Sequence, residues 1–128
     1  MARASQTTLS LLQEYFAAME AKDVARLASY YADDITLTFA NAPTITGRDA
    51  VLARMADLLG RVRSLAHELI NVWEEDRGVV VLEVLSVWNL HDGSVLKVTA
   101  CSIFTMHDGT FTDQRIYVDN APVDRALA

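Results

Sequence analysis

Cysteine, proline and glycine are scarce in this chain. Among its 128 residues there are one cysteine, two prolines and five glycines. A single cysteine excludes an intramolecular disulfide and is typical of a reducing compartment, so we expect a cytoplasmic protein. No apolar run approaches the roughly 20 residues of a membrane-spanning helix. The N-terminal residues also lack the continuous apolar segment of a secretory signal, so a membrane is not an expected partner.

Positive charge is scarce as well. The chain has 11 Lys and Arg residues against 17 Asp and Glu residues, for a formal net charge of −6. Because no basic cluster occurs, attraction to nucleic acid or to an anionic membrane surface is not expected. No two His or Cys residues share a metal-ligand spacing with a carboxylate, and no Gly-rich phosphate loop is present. The sequence therefore predicts neither a metal nor a cofactor.

The second half of the chain is rich in residues that favour β-strands. Its four apolar runs span residues 65–75, 79–90, 94–106 and 110–119. The three breaks between them each end in glycine, and they are Asp76-Arg77-Gly78, His91-Asp92-Gly93 and His107-Asp108-Gly109. Glycine adopts the positive φ of a hairpin turn without strain, so this pattern predicts a four-stranded antiparallel meander.

The first half of the chain predicts three helices and one strand. Apolar residues recur at helical spacing from Thr8 to Lys22, and a second helix is expected over 24–31. A strand over 34–39 and a third helix up to about residue 59 complete the order α-α-β-α-β-β-β-β. Helices grouped ahead of an antiparallel sheet favour the α+β class, in a single domain spanning residues 1–128.

The run at 79–90 has apolar residues on both of its faces. Val80, Leu82 and Val84 alternate with Val81 and Leu85. Helices on one side of the sheet leave its other side uncovered, and no further element is predicted to cover it. We therefore expect a homodimer that forms through the outer face of the sheet.

Five segments of the sequence resemble a known superfamily. They are Leu11-Leu12-Gln13-Glu14-Tyr15, Lys22-Asp23-Val24, Tyr31-Ala32-Asp33-Asp34, Thr46-Gly47-Arg48-Asp49 and Arg115-Ile116-Tyr117-Val118-Asp119. In them the chain resembles nuclear-transport-factor-2-like proteins, and most of all the SnoaL-like polyketide cyclases and ketosteroid isomerases. The resemblance implies three N-terminal helices packed in the concave face of a curved, mostly antiparallel sheet. This arrangement is a cone-shaped α+β barrel that encloses an apolar pocket.

The resemblance carries over only part of the catalytic machinery of those enzymes. Tyr15 falls where ketosteroid isomerases keep the tyrosine of their oxyanion hole. Their general-base aspartate falls on Phe39, which cannot accept a proton, and their second oxyanion-hole acid falls on Ser102. The Asp-Arg-Asp set of limonene-epoxide-hydrolase relatives falls on Leu85, Glu83 and Ile116. Steroid isomerisation and epoxide hydrolysis by those routes are therefore disfavoured.

Strand alternation predicts a polar row on the concave face of the sheet. A two-residue turn at Asp92-Gly93 and three-residue turns at the other two breaks would align four inward side chains, those of Asn71, Glu83, Ser102 and Gln114. Glu83 would then be a general acid or base, with Tyr15 as a nearby hydrogen-bond donor. The alternative is that Glu83 only completes a polar hydrogen-bond network, or is exposed to solvent at the rim of the pocket.

Further site candidates lie along the strands. His67 is predicted to face inward, where an imidazole beside apolar side chains could act as a base, although such a histidine is more often purely structural. The other predicted substrate-contacting residues are Phe39, Asn89 and Asp119, besides Asn71, Ser102 and Gln114. The sequence does not establish that the protein is an enzyme.

Two kinds of function fit these patterns. The first is metal-free acid–base catalysis, of the isomerase, cyclase or dehydratase type, on a small apolar carbonyl compound. The alternative is a module of the same fold that binds a hydrophobic ligand without chemistry, or that serves as a dimerisation domain.

Overall fold

The computed structural model describes all 128 residues of the chain. Its elements are, in chain order, β1 (Ala2–Arg3), α1 (Gln6–Glu20), α2 (Val24–Ala28), β2 (Tyr31–Phe39), β3 (Ile45–Thr46), α3 (Arg48–Gly60), β4 (Ser64–Glu74), β5 (Val79–Asn89), β6 (Val95–His107), β7 (Thr110–Tyr117) and α4 (Ala121–Leu127). The predicted three helices, first strand and four-stranded meander are all present. The short strands β1 and β3 and the final helix α4 were not predicted.

Side-chain caps fix where the first two helices begin. The Ser5 hydroxyl accepts a hydrogen bond from the Thr8 backbone N–H at 3.2 Å, and the Asp23 carboxylate accepts one from the Arg26 N–H at 3.0 Å. Each cap satisfies one of the N–H groups that a first helical turn leaves unpaired. The inward face of α1 then buries Tyr15 and other apolar side chains in the core.

All seven strands form one sheet in the order β1-β4-β5-β6-β7-β2-β3. Every neighbouring pair is antiparallel except β2 and β7, which are parallel. The helices α1 and α3 pack on the inner, concave face of this curved sheet, and the core of 24 buried residues lies between them. The fold class predicted from the sequence is therefore confirmed.

The turn at 91–93 is one residue longer than predicted. Leu90 pairs with Ser94, since the Leu90 N–H donates to the Ser94 carbonyl at 2.9 Å. Only Gly93 has a positive φ, of 89°. The Asp92 carboxylate instead accepts hydrogen bonds from the Ser94 backbone N–H and hydroxyl, at 2.9 and 2.6 Å. A two-residue type I′ turn would need a positive φ at both Asp92 and Gly93, so this carboxylate contact favours the longer loop.

The turn at 107–109 is one residue shorter than predicted. His107 pairs directly with Thr110. Both central residues have positive φ, 50° at Asp108 and 79° at Gly109, as a type I′ turn requires. Of the three turns, only the one at 76–78 has its predicted length, which is three residues. Gly78 closes it with a φ of 85°.

The length of the turn at 91–93 overturns the predicted facing of Glu83. The predicted pairing of Glu83 with Asn71 is confirmed, but on β6 Glu83 pairs with Cys101, while Ser102 pairs with Leu82. A one-residue slip moves a side chain to the other face of a sheet. Glu83 therefore lies on the outer face, and the prediction that it faces the helices is wrong.

A bulge in β4 turns the Asn71 side chain to the outer face of the sheet as well. The pairing with β5 shifts between Leu69 and Asn71, around Ile70. Leu65 and His67 face the core before this bulge, whereas Val72 does so after it. The extra residue turns Asn71 to the outer face beside Glu83, so the predicted inward row is broken at two of its four members.

Candidate functional site

A small deep cavity lies between the inner face of the sheet and the helices α1 and α3. Its volume is about 80 Å³, and 12 of its 15 lining residues are hydrophobic. The three polar residues are His67 on β4, Ser86 on β5 and Ser102 on β6. Such a composition, mostly apolar with a few polar groups, is typical of a small-molecule site.

A larger cavity, which we call the mouth cavity, adjoins the deep one. Its volume is about 790 Å³, within the usual range for ligand pockets. It is bounded by the loop at 40–44, α3, the segment 118–120 that follows β7, and α4. Four residues line both cavities, namely Phe39, Met55, Leu58 and Trp88. The two cavities therefore lie side by side and share part of their walls.

The charged side chains of the site belong to the mouth cavity. They are Arg54, Asp57, Arg61, Asp119 and Asp124. Among the residues of the deep cavity there is no carboxylate and no Lys or Arg. The ends of the site thus differ in character, polar toward solvent and apolar inside.

His67 is the basic group of the deep cavity. Its ring stacks on Phe16 with the ring centres 4.4 Å apart. Only 9% of the side chain is exposed, and burial lowers the pKa of His67 to about 4. The imidazole is therefore uncharged at neutral pH, because its surroundings disfavour the protonated form. An uncharged imidazole can accept a proton.

The Glu20 carboxylate approaches His67 from the end of α1. Glu20 Oε1 accepts a hydrogen bond from the His67 backbone N–H at 2.6 Å, and it lies 3.5 Å from His67 Nδ1. The second distance exceeds the usual length of a hydrogen bond, and Nδ1 has no other partner. The Glu20 side chain is 34% exposed, and burial of the ring lowers the pKa of His67 despite this neighbouring carboxylate.

Tyr15 joins the deep cavity to a buried polar network. Its hydroxyl lies 2.7 Å from the Tyr31 hydroxyl, and Gln114 Nε2 donates to it at 3.4 Å. Desolvation raises the pKa of Tyr15 and also that of Tyr31, and the hydrogen bonds reduce this effect at Tyr15. Both phenols therefore stay protonated and can donate hydrogen bonds.

Trp88 contributes a buried donor without a partner. The residue is only 5% exposed, lines both cavities, and its indole Nε1 has no hydrogen-bond partner. Buried N–H groups are nearly always paired. The residues Trp88, Ser86 and Glu20 were not among the site residues predicted from the sequence. The correct strand register would have revealed Ser86, because it pairs with His67.

The predicted site residues separate into three groups. Tyr15, His67, Ser102 and Phe39 line the deep cavity, and Asp119 lines the mouth cavity. Gln114 is fully buried and reaches the site only through Tyr15. Asn71, Glu83 and Asn89 line neither cavity, because the register turns them to the outer face of the sheet. The structure thus brings together about half of the predicted set.

Residues 12–114 match the family model described as the SnoaL-like domain. This match covers most of the chain, from within α1 into β7, and it includes every residue of the deep cavity except Ile116. The chain is a SnoaL-like protein. The resemblance read from the sequence is therefore confirmed.

Solved structures share the fold of this SnoaL-like protein at low sequence identity. A candidate isomerase from Bacillus subtilis has a TM-score of 0.82 and 20% identity, over 93% of this chain and 91% of that one. An LEH-like epoxide hydrolase from M. tuberculosis has a TM-score of 0.77 and 17% identity, over 92% and 86%. A ketosteroid isomerase-like protein from Catenulispora acidiphila, in complex with trimethylamine, has a TM-score of 0.75 and 16% identity, over 84% and 83%.

These similarities establish the architecture of the SnoaL-like protein and leave its chemistry to its own residues. The same fold supports unrelated activities, since function depends on the site. None of the four helices has the length and apolar composition needed to cross a membrane.

Proposed function

We propose that this SnoaL-like protein binds a small, mainly apolar carbonyl compound and transfers a proton on it, as an isomerase or lyase does. The observation that supports this most is the position of the His67 imidazole, which lines the deep cavity and stacks on Phe16. Besides the phenol of Tyr15, it is the one titratable side chain that lines this cavity. In this proposal His67 takes the catalytic role that the sequence analysis gave to Glu83.

The sizes of the two cavities support a particular placement of the ligand. The mouth cavity, of about 790 Å³, holds the body of the molecule. The deep cavity, of about 80 Å³, admits one small end of it, and there the carbonyl group would lie near His67 and Tyr15. An apolar ligand with a single polar end matches the apolar lining and the few inner polar groups.

The proton transfer would proceed through an enolate. His67 accepts the proton from the carbon next to the carbonyl group, and the bonding electrons move onto the carbonyl oxygen. A hydrogen bond from Tyr15 stabilises the developing negative charge. Return of the proton to a different carbon gives an isomer, whereas loss of a leaving group gives a lyase product. A positioned base typically contributes a factor of about 10²–10⁴ in rate.

The tyrosine pair supports the role of Tyr15 as a donor. The Tyr15 and Tyr31 hydroxyls share one hydrogen bond, so one of the two retains an O–H without an acceptor. If Tyr31 donates, the free O–H belongs to Tyr15, which lines the deep cavity. A ligand carbonyl there would satisfy every hydroxyl of the pair, and an unpaired buried donor would cost about 1–3 kcal/mol.

The comparisons agree with this proposal without deciding it. One structural neighbour is described as a candidate isomerase and another as an epoxide hydrolase. Both neighbours share the fold of this chain at no more than 20% sequence identity. The proposal therefore depends on the geometry around His67.

The test begins with a thermal-shift screen of small apolar ketones, aldehydes and esters. For each ligand that raises the melting temperature, proton NMR in D₂O would follow the exchange of the hydrogen next to the carbonyl group. His67→Gln should lower the exchange rate by at least about 10² and leave the ligand affinity within a few-fold. Glu83→Gln is the matched control, because it removes a charge from the outer face and should leave both quantities unchanged.

A second candidate function is ligand binding without chemistry. It is favoured by one observation, namely that no carboxylate lines the deep cavity. In that case ligands would raise the melting temperature but show no catalysed exchange, and His67→Gln would change affinity only. Loss of exchange in Glu83→Gln together with full exchange in His67→Gln would refute the proposed catalytic role of His67.

A further inference from the structure

The edge position of β4 explains why Glu20 contacts His67. The short strand β1 pairs with β4 only at Trp73 and Glu74, so β4 has no outer neighbour at His67. The backbone N–H of His67 would be unpaired there, and Glu20 Oε1 accepts its hydrogen bond at 2.6 Å. The last residue of α1 is thereby fixed against the strand that carries the imidazole.

The same carboxylate oxygen faces the imidazole ring. It lies 3.5 Å from Nδ1, which is a buried nitrogen without any hydrogen-bond partner. A carboxylate can only accept hydrogen bonds, so a lone pair on Nδ1 would face the negative charge and be repelled. A proton on Nδ1 would instead be attracted. The hydrogen bond of one ring nitrogen decides which tautomer a histidine adopts.

We infer that Glu20 is a positioning residue, whose carboxylate holds the proton of His67 on Nδ1 and leaves the Nε2 lone pair available to the deep cavity. The inference rests on the proposed function for its catalytic meaning, since it names the nitrogen that accepts the proton. The tautomer itself is a property of the protein without ligand. Catalytic hydrogen bonds are often long in the free enzyme and tighten when substrate binds.

Glu20 would also stabilise the protonated ring during turnover. When Nε2 takes a proton, the imidazole becomes positive inside an apolar cavity. The residues that line this cavity from β5, β6, β7 and α3 carry no charge, and the polar ones among them are Ser86 and Ser102. Glu20, at the end of α1, is thus the negative group placed to attract the imidazolium ion.

The test measures the tautomer directly by long-range proton–nitrogen NMR. In the variant His91→Gln/His107→Gln, the two exposed turn histidines are removed and His67 gives the only imidazole signals. At about pH 7 we expect the nitrogen shifts of a neutral ring with its proton on Nδ1. A ring protonated on Nε2 would overturn the inference, and this measurement needs neither a ligand nor a change at Glu20.

Two substitutions at Glu20 separate the hydrogen bond from the charge. Glu20→Ala removes the acceptor, so the signals of His67 should shift toward the tautomer protonated on Nε2. Glu20→Gln retains an acceptor oxygen, so the tautomer should persist while the rate of ligand exchange falls about tenfold. The matched control is Glu14→Gln, because Glu14 is exposed on the same helix, and it should change neither quantity.

The outcomes distinguish this inference from the proposed function. A tautomer that is unchanged in Glu20→Ala would refute the positioning role, even if His67 proves to be the base. An Nδ1–H tautomer that depends on Glu20, found together with no catalysed exchange for any bound ligand, would support the positioning contact and refute the proton-transfer function.

Discussion

The hydroxyl groups of Tyr15 and Tyr31 lie 2.7 Å apart in the core, where both side chains are only 1% exposed. One phenol comes from α1 and the other from the start of β2, so their hydrogen bond connects the long helix to the strand beside β7. Gln114 on β7 donates to the same Tyr15 oxygen. The network thus joins three elements at the bottom of the deep cavity.

A double-mutant cycle on this pair should show strong coupling. Tyr15→Phe leaves both Tyr31 and Gln114 without a partner and should cost about 2–3 kcal/mol of unfolding free energy. Tyr31→Phe removes one partner only and should cost about 1–2 kcal/mol. The double variant should be more stable than the sum of the two predicts, by about 1–2 kcal/mol, as urea unfolding would measure. Additive single effects would contradict the shared hydrogen bond.

The stability of the protein should fall at acid pH because of His67. Its pKa is about 4 in the fold against 6.5 for the ordinary side chain, so the unfolded chain binds a proton that the folded one excludes. At neutral pH the ring is uncharged in both states, so it does not change the free energy of unfolding. As the pH falls from 6.5 toward 4, protonation of the unfolded chain lowers the free energy of unfolding. Relative to His67→Gln, the natural protein should lose about 2 kcal/mol between about pH 7 and pH 4.5.

Urea unfolding of both proteins at a series of pH values would test this sign and size. His91→Gln is the control, because His91 is exposed in a turn and its removal should leave the pH dependence intact. A constant difference between the natural protein and His67→Gln over this pH range would show that the imidazole is not held in its neutral form.

Two glycines with nearly the same backbone conformation should respond differently to alanine. Gly78 and Gly93 have φ of 85° and 89°, and each closes a three-residue turn. A Cβ at Gly78 would collide with the backbone carbonyl of Met106, whereas a Cβ at Gly93 meets nothing within 4 Å. Gly93→Ala should therefore cost about 1–2 kcal/mol for the left-handed conformation alone.

Gly78→Ala should cost roughly 2 kcal/mol more than Gly93→Ala, because backbone cannot move aside as a flexible side chain does. Melting temperatures and urea midpoints of the two variants provide the comparison. Equal losses of stability in the two variants would mean that the hairpin of β4 and β5 can shift relative to Met106 without a cost in free energy.

The outer face of the sheet should form a homodimer. Half-buried Leu85, Val87 and Ile103 lie on this face without packing against the core, and Tyr117 nearby is 54% exposed. A twofold contact between two such faces would bury these side chains. Sedimentation should then give twice 14.1 kDa.

Leu85→Lys should convert such a dimer to monomers, since it would place a charge in the contact. Ala53→Lys is the matched control on the exposed face of α3 and should leave the mass unchanged. A monomeric natural protein at micromolar concentration would refute the dimer.

The sequence predicted the fold well because the responsible signals are local. The caps at Ser5 and Asp23, the apolar spacing of α1 and the glycine that ends each break all act within a few residues. Each fixes an element on its own. The sheet order and the concave packing follow from joining these elements by short connections.

The face of the sheet on which each side chain lies was harder to predict, because it depends on the lengths of the turns. His91-Asp92-Gly93 and His107-Asp108-Gly109 have the same three residue types, yet the first forms a three-residue turn and the second a two-residue turn. The difference lies in Ser94, whose N–H and hydroxyl bind Asp92, whereas Thr110 pairs with His107. The length of the first turn sets which residue of β6 pairs with Glu83.

The pairing of His67 with Glu20 and Ser86 could not be read from the sequence for a related reason. These residues are 47 and 19 positions away from His67 along the chain, and they meet only once α1 docks on β4 and the register is set. Burial of the imidazole is a property of the assembled core. Its low pKa therefore has no local signature.

The mouth cavity is built from the loop at 40–44 and from α4, which the Arg61 guanidinium anchors by donating to the Leu127 carbonyl at 2.6 Å. Neither segment contributes to the hairpins that set strand register. Insertions or substitutions in these two peripheral segments would therefore reshape the mouth cavity while the curved sheet keeps its shape. The same division makes them the natural places to randomise when engineering the protein for new molecules.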